Sequence, residues 1–380
     1  GSPGHQLIDA TPIKVLALSP IPEEGAGCRF RVSQYVPYLE AQGIDVAISP
    51  FYTPDFFRLV YRHGHYLRKA GAFLKLLARR WKVLSEIDRY DVVLLYREAI
   101  PIGPPVIERA IARRGVPIVY DFDDAIFLPN VSDANKAIFF LKSTTRASEI
   151  IGFSRHVVVG NEFLADYARG FNREVTVVPT AVDTTRFIPR TPSPRPPGPL
   201  VVGWIGSPTT FHYLESMAPL LQEVAARHPF ILRVSGAGRP VRFSGVSVEE
   251  KTWSLDHEVT LFNTCDVGVY PLDDDDWARG KCGFKAIQFM ACGVPVVAAA
   301  VGVNREIVRD GENGFLAATP SEWIAKLDRL LTDAELRARF ARAGRATIEE
   351  RYDSRVMAPQ LAAILRRAAA HRSQSDEGRP

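Results

Sequence analysis

The segment from Lys281 to Ala317 constrains the fold of this chain more than any other part of it. Its first part, KCGFKAIQFMAC, is apolar at most positions, which is typical of a helix that is buried on nearly all sides. Gly293, Pro295 and the β-branched pair Val296 and Val297 follow directly. This order is typical of a helix that leads into a buried parallel strand, so the segment predicts an α/β fold.

The polar side chains of this segment share one stripe if residues 281–292 are read as a helix. They are Lys281, Lys285, Gln288 and Cys292, and their spacing of four, three and four residues brings them to one side at about 100° per residue. A buried ammonium group is costly unless it meets an anion. The pattern therefore predicts a ligand that carries negative charge.

Short β-branched runs alternate with helical patterns along the chain, which indicates parallel sheets with right-handed crossovers. The predicted strands are 14–18, 45–49, 91–96, 117–120, 156–159 and 175–178, then 200–206, 230–234, 267–270 and 294–298. Between the two sets, the proline-rich stretch 191–199 is a stiff extended connector. The sequence thus predicts two doubly wound, Rossmann-like domains, at 11–190 and 200–352.

Three motifs in the second half resemble the donor-binding signature of the family 4 retaining glycosyltransferases, which have the GT-B fold. They are QFMACGVPVVA at 288–298, REIV at 305–308 and DGENGFL at 310–316, and VVPTAVDTTRFIP at 177–189 is similar to a further family stretch. The resemblance implies two Rossmann-like domains that face a cleft, and a final helix, 355–372, that crosses back onto the first domain. One departure concerns the family's pair of glutamates, which falls on Gly280 and Gln288 here.

The resemblance also implies an activity. It indicates a retaining, metal-independent hexosyltransferase that moves a sugar from a nucleoside-diphosphate sugar to a hydroxyl acceptor in polysaccharide or other glycan biosynthesis. The acceptor is a glycan, a lipid-linked molecule or a small molecule, and no cofactor is needed beyond the donor substrate. Two alternatives remain open: a nucleotide-sugar 2-epimerase, and a non-catalytic GT-B protein that binds a nucleotide or a glycan.

Several positions in the second half are candidates for donor binding. Gly206 follows the first strand of that half, and ligands of open α/β sheets lie at such strand ends. The glycine lets the backbone approach a phosphate, and hydroxyl groups next to it can donate hydrogen bonds. Glu306 either contacts donor sugar hydroxyls or packs its loop, and Gln288 replaces a ribose-binding glutamate as a neutral group. The predicted donor site comprises Gly206, Ser207, Thr209, Lys281, Lys285, Gln288 and Glu306, in which the two lysines neutralise the diphosphate.

The first half supplies the candidates for the acceptor side of the cleft. Gly25, Gly27 and Arg29 follow the first strand and resemble the family loop that faces donor sugar and acceptor. The fourth strand ends in Asp121, Asp123 and Asp124, carboxylates that could orient or deprotonate an acceptor hydroxyl. The predicted catalytic residues are Asp121, Lys281 and Lys285. An Asp-x-Asp metal site is the alternative for the carboxylates, although the resemblance implies no metal.

Charge and composition limit the partners. The net charge of +4 is small for 380 residues and does not indicate a nucleic acid partner. Residues 57–82 form a basic amphipathic stretch, which either lies on an anionic membrane surface or is the solvated face of a core helix. Four scattered cysteines and the lack of a long apolar run at the start predict a cytoplasmic protein, either free or peripheral at the inner membrane face.

Overall fold

The computed structural model describes residues 12–60, 64, 66–128, 145–191 and 197–377, with side chains described as far as residue 372. The strands are β1 (Ile13–Ser19), β2 (Ile44–Pro50), β3 (Val92–Tyr96), β4 (Ile118–Phe122), β5 (His156–Val159), β6 (Val175–Val177), β7 (Leu200–Ile205), β8 (Phe230–Ser235), β9 (Ser247–Glu250), β10 (Val267–Tyr270), β11 (Val296–Ala299) and β12 (Phe315–Ala317). They form two six-stranded sheets, and every pairing within the sheets is parallel.

Helices connect the strands in both halves. They are α1 (Ala26–Arg31), α2 (Val36–Ala41), α3 (Pro54–Val60), α4 (Tyr66–Glu86), α5 (Val106–Arg113), α6 (Arg146–Phe153), α7 (Glu162–Arg169), α8 (Phe211–Ser216), α9 (Ala218–Arg227), α10 (Glu258–Asn263), α11 (Asp276–Arg279), α12 (Phe284–Ala291), α13 (Asn304–Ile307), α14 (Pro320–Thr332), α15 (Ala334–Arg351) and α16 (Ser354–Glu377). Two short 3-10 helices occupy Ser33–Tyr35 and Ile87–Arg89.

The strand order is β2-β1-β3-β4-β5-β6 in the first sheet and β12-β11-β10-β7-β8-β9 in the second. Both orders reverse direction beside the first strand of the half, as in doubly wound folds. The central strands are continuous apolar runs; β3, for example, is VVLLY and is buried throughout, as expected for a parallel strand covered on both faces. The predicted α/β class with two parallel sheets is therefore confirmed.

Two strands were not predicted from the sequence, β9 and β12. Strand β9 reads SVEE and lies at the edge of its sheet with its side chains exposed or half-buried. Strand β12 has three residues and is also at an edge. Edge strands this short or this polar carry no apolar run, so a hydrophobic pattern cannot reveal them.

The last helix, α16, packs on the first sheet although it follows the second sheet in sequence. Met357, Leu361 and Leu365 are buried in one cluster with Val15 and Val92 of the first sheet. The chain therefore crosses between the two halves twice, once near residues 178–200 and once ahead of α16. This return gives the first sheet a helix that its own half of the sequence does not provide.

Some predicted features fall partly outside the described residues. They include residues 192–196 of the proline-rich connector and residues 61–63 and 65 of the basic stretch. Among the helices that the structure does describe, none combines the length and the apolar character needed to cross a bilayer.

We expect Leu365→Ala to destabilise the first domain, because Leu365 is fully buried and its truncation leaves a cavity that costs about 2–5 kcal/mol. The measurement is the free energy of unfolding in urea. Arg367→Ala, an exposed position on the same helix, is the control and should cost less than about 0.5 kcal/mol. Equal losses in the two variants would contradict the packing of α16 on the first sheet.

Candidate active site

The loop before α12 joins the two halves of the molecule. Asn161, the residue before α7, donates its side-chain amide to the carbonyl oxygens of Gly280, at 3.2 Å, and Lys281, at 3.0 Å. Cys282 lies against the backbone of Asp123, with its thiol 3.1 Å from that carbonyl oxygen. The carboxyl ends of β4 and β5 in the first sheet therefore meet the loop that precedes α12, and we call the region around this contact the cleft.

The glycine pair after β1 has a packing reason. Gly25 is the residue before α1, and Gly27 lies within that helix. A Cβ atom at Gly27 would overlap the hydroxyl end of Tyr96. The Tyr96 hydroxyl is held there by Asp123, whose Oδ1 lies 2.9 Å away. Gly27 thus allows α1 to approach the end of β3, and close backbone approach to a ligand is not needed to explain it.

Arg29 forms a buried bridge to the second domain. Its Nη2 lies 2.8 Å from Oε1 of Glu258 at the start of α10, and both side chains are less than a tenth exposed. The other oxygen of Glu258 pairs with Arg186 at 3.1 Å. Trp253 lies beside the Arg29 guanidinium, 5.5 Å from it to the ring centre. The expected contact of Arg29 with an acceptor remains a prediction, since in this structure its guanidinium binds an internal carboxylate.

The expectation that Asp121 presents a carboxylate to the cleft is wrong. Both of its oxygens accept hydrogen bonds from Arg31, at 2.8 and 2.7 Å, and both side chains are nearly inaccessible to solvent. Side chains alternate along a strand, so Tyr120 and Phe122 point into one core while Asp121 points to the opposite face. Arg31 also donates to the carbonyl of Val178 at 2.7 Å. Asp121 is therefore a structural partner of α1.

Asp123 and Asp124 do reach the cleft, and both have partners. Asp124 accepts from Lys281 at 3.0 Å and lies 3.3 Å from Arg97. Arg97 also lies 3.8 Å from Asp123. Arg97 is the only non-glycine residue with a positive φ, 59°, among the described residues, a strained conformation that is frequent at functional sites. The carboxylates, Arg97 and Lys281 form one network across the two domains.

The prediction that Lys281 lies on the helix is wrong. Helix α12 begins at Phe284, because Gly283 adopts a positive φ of 68° that interrupts the helical path. Lys281 instead sits in the preceding loop, where it binds Asp124 and lies over Trp277 at 4.5 Å. Its proposed contact with a diphosphate stays a prediction.

Lys285 and Gln288 lie on the first turns of α12. The ammonium group of Lys285 donates to Oε1 of Gln288 at 3.0 Å, and the structure shows it in no ion pair with a described residue. The pKa of Lys285 is lowered to about 8, mainly by burial; the charge of Glu258 opposes this shift and that of Arg29 adds to it. Gln288 is fully buried, and its amide nitrogen has no hydrogen-bond partner among the described atoms. A cation and an unused donor therefore sit side by side.

The loop after β7 carries Ser207 and Thr209. Their hydroxyl groups lie 2.9 Å apart, and the backbone N–H of Ser207 donates to the hydroxyl of Thr210 at 3.0 Å. Gly206 touches the loop after β8, because a Cβ atom at Gly236 would overlap its carbonyl oxygen. The hydroxyl groups of this loop bind one another and lie at a strand end, as predicted.

A cavity of about 350 Å³ opens beside this loop contact. It is lined by Val234, Gly236, Ala237, Gly238, Arg239, Glu250, Lys251, Thr252 and Trp253. Trp253 is shared between the cavity and the Arg29 bridge. Through Trp253, the cavity therefore adjoins the buried pair of Arg29 and Glu258.

Glu306 lies on α13 with its side chain exposed. Its carboxylate has no hydrogen-bond or ion-pair partner among the described residues, and Arg351 donates to its backbone carbonyl at 3.4 Å. The choice between sugar contact and loop packing stays open. No group of three His, Cys, Asp or Glu side chains is placed to hold a metal ion in the described parts of the chain. Asp121 and Asp123 turn to different partners, Arg31 and Tyr96, so they do not form the alternative Asp-x-Asp pair.

Sequence reasoning missed four functional candidates. Glu258 pairs with an arginine 229 residues away, and no local pattern could show that. Gly236 and Trp253 line the cavity but lie on either side of the unpredicted strand β9. Arg97 could have been found, because it directly follows β3 at the carboxyl edge of the sheet, where ligands of such folds bind.

Residues 200–333 match the protein family described as "Glycosyl transferases group 1". The matched part runs from β7 to the end of α14 and therefore covers the second sheet. Among curated proteins, a D-inositol 3-phosphate glycosyltransferase of Stackebrandtia nassauensis is 31% identical over 211 residues, which are 47% of this chain and 46% of the relative. The alignment thus spans about half the length of this relative.

Solved structures resemble nearly the whole chain. A glycosyltransferase from Rickettsia africae superposes with a TM-score of 0.67 at 13% identity, over 94% of this chain and 99% of that one. The Anabaena protein Alr3699/HepE in complex with UDP-glucose superposes with a TM-score of 0.64 at 18% identity, over 93% and 99%. At this identity the likeness concerns the fold, and it confirms the predicted two-domain GT-B arrangement.

We expect Asp121→Asn to destabilise the protein by about 3 kcal/mol, because it leaves the buried Arg31 guanidinium without a counter-charge. The measurement is thermal and urea unfolding. Asp123→Asn is the control and should cost less, since Asp123 is more exposed and its main partner is a neutral hydroxyl. A stable Asp121→Asn protein would contradict the structural role.

Proposed function

We propose that this protein is a glycosyltransferase that takes its sugar from a nucleoside-diphosphate sugar and binds the diphosphate at Lys285. One observation carries the proposal. Arg29 and Arg186 both pair with the carboxylate of Glu258, whose charge also acts on Lys285. Glu23 acts on Arg29 as well, so three cations face two carboxylates. The diphosphate of a nucleoside-diphosphate sugar is an anion and would compensate the remaining positive charge.

The neighbouring groups suit the rest of such a donor. The cavity next to Trp253 is concave and large enough for a nucleoside, and its position beyond β8 is a strand-end position. The buried amide nitrogen of Gln288 can donate to a ribose or phosphate oxygen. The hydroxyl groups of Ser207 and Thr209 can turn from each other to the diphosphate. The match of residues 200–333 to group 1 glycosyl transferases supports the same assignment.

The chemistry follows from the charge that develops on the leaving group. When the bond from sugar to phosphate breaks, negative charge accumulates on the departing diphosphate, and a positioned cation lowers the barrier most when it lies close to that charge. Lys285 is therefore the residue that we assign to leaving-group stabilisation. Asp123 and Asp124 lie across the cleft and are the carboxylates left to orient an acceptor hydroxyl, because Asp121 is buried. We propose transfer with retention, in which the leaving phosphate oxygen accepts the acceptor's proton.

We expect donor binding to weaken with rising pH, since Lys285 loses its charge as the pH passes about 8. The charged form binds the diphosphate, so the Kd for UDP-glucose should rise about tenfold between about pH 7 and about pH 9. The measurement is isothermal titration calorimetry. Lys285→Arg keeps its charge over this range and should show less than about a twofold change. An equal rise in both proteins would mean that another group is responsible.

We expect Lys285→Ala to lower donor turnover about 100-fold or more, because one cation at the leaving group is removed. UDP-, GDP- and dTDP-sugars are first ranked by thermal shift, and nuclear magnetic resonance then follows hydrolysis of the best one. Lys326→Ala is the control; this residue lies in α14, next to the edge strand β12. Slow hydrolysis that first releases the sugar with the donor's anomeric configuration supports a retaining transferase. Interconversion of the donor sugar would show an epimerase, and binding without any reaction would show a non-catalytic protein.

A further inference from the structure

Helix α4 exposes a stripe of large apolar side chains. Among the described residues, nine large hydrophobic side chains are exposed, and four of them belong to α4. Leu67 is 91% exposed, Leu74 64% and Trp81 47%. These three recur every seven residues, so they lie one above another on the same side of the helix. Tyr66, 78% exposed, extends the stripe at its first turn.

The exposed apolar stripe belongs to a helix that is packed firmly on the first domain. On the opposite side, Leu76 and Leu84 are buried in the core of the first sheet. Arg80 is also buried, and its guanidinium donates to the carbonyl oxygens of Ala99 and Ser49, each at 2.9 Å. These contacts fix the rotation of α4 about its axis. The apolar stripe therefore points outward in the folded protein.

A row of cations runs beside the stripe. Arg68, Lys75 and Lys82 each follow one of the stripe residues by one position and are exposed. Their side chains make no hydrogen bond or ion pair with any described residue. Residues 66–85 contain no aspartate or glutamate. The exposed side of α4 thus combines apolar bulk with uncompensated positive charge.

We propose that this side of α4 is a docking surface for an anionic lipid bilayer. Apolar side chains along one face of such a helix enter the boundary between headgroups and acyl chains, tryptophan favours that boundary, and basic residues attract anionic lipids. A second copy of this chain is a poor occupant, because pairing two such helices would bring their cation rows together. Binding to a bilayer does not require side chains held in fixed directions by hydrogen bonds, and the side chains of this cation row are not held in that way by described residues.

The position of α4 places such a bilayer next to the cleft. Helix α4 has 21 residues and is therefore about 31 Å long, whereas the seven residues of β2 span about 23 Å. The helix follows the carboxyl end of β2 and runs back to the start of β3, so its first turns extend toward the edge that bounds the cleft. An acceptor carried in the membrane would meet the cleft there; this last step rests on the proposed transfer reaction, whereas docking itself does not.

The test is co-sedimentation of the whole protein with vesicles, without nucleotide, so its result is independent of donor chemistry. We expect at least about tenfold tighter binding to phosphatidylcholine vesicles with about 30% phosphatidylglycerol than to pure phosphatidylcholine vesicles. The preference should fall strongly at about 0.5 M NaCl. Equal binding to both vesicle types, or no binding to either, would overturn the proposal.

Three variants separate the contributions. Arg68→Glu/Lys75→Glu/Lys82→Glu and Leu67→Ser/Leu74→Ser should each weaken binding to the anionic vesicles about tenfold or more. The control Arg173→Glu/Arg242→Glu/Arg342→Glu changes three exposed cations elsewhere and should stay within about threefold of the unchanged protein. Thermal unfolding and UDP-glucose affinity verify that each variant is folded. A control as weak as the helix variant would overturn the assignment to α4, and so would a dimer in light scattering that the leucine variant dissociates.

Discussion

Charge buried between the two domains must be compensated, and this requirement organises the cleft. Arg31 meets Asp121, Arg29 meets Glu258, and Lys281 meets Asp124, all within 3.0 Å. Removing a charge from water costs several kcal/mol unless a partner replaces the lost hydration. The last two pairs join residues from different domains. The same ion pairs therefore compensate the charges and hold the domains in contact. Where a cation lacks a counter-charge from the protein, a bound anionic ligand can provide one.

Lys285 shows this incompleteness most clearly. Its described partner is a neutral amide oxygen, and burial is the main reason that the pKa of Lys285 is lowered to about 8. In a merely structural role, such a lysine would be better replaced by an apolar residue, because nothing repays its desolvation. Gln288 is a second buried polar group that is not fully satisfied, since its amide nitrogen has no hydrogen-bond partner in the described structure. A cation whose described partner is neutral and an amide donor without a described partner lie on adjacent turns, which supports the proposed binding of an anionic ligand.

The sequence allowed the sheets to be predicted because their strands are continuous β-branched runs, and strand β10 is found at its predicted bounds. The start of α12 could not be predicted, since it depends on the positive φ of Gly283, which composition does not reveal. The burial of Asp121 could have been predicted from the sequence, because Tyr120 and Phe122 flank it in a strand and must point to the opposite face. The role of Glu258 could not be predicted, because its partner Arg29 is far away in the sequence and is brought to it only by folding.

Arg97 links backbone strain to the organisation of the cleft. A positive φ costs about 1–2 kcal/mol at a residue with a side chain, so the surrounding structure must offset it. Its backbone N–H donates to the carbonyl of Asp121 at 2.9 Å, and its guanidinium lies within 4 Å of Asp123 and Asp124. In an ordinary extended conformation, the alternation along β3 would direct this side chain elsewhere. The strained turn therefore holds a cation between the two carboxylates, to which we assign the orientation of an acceptor hydroxyl.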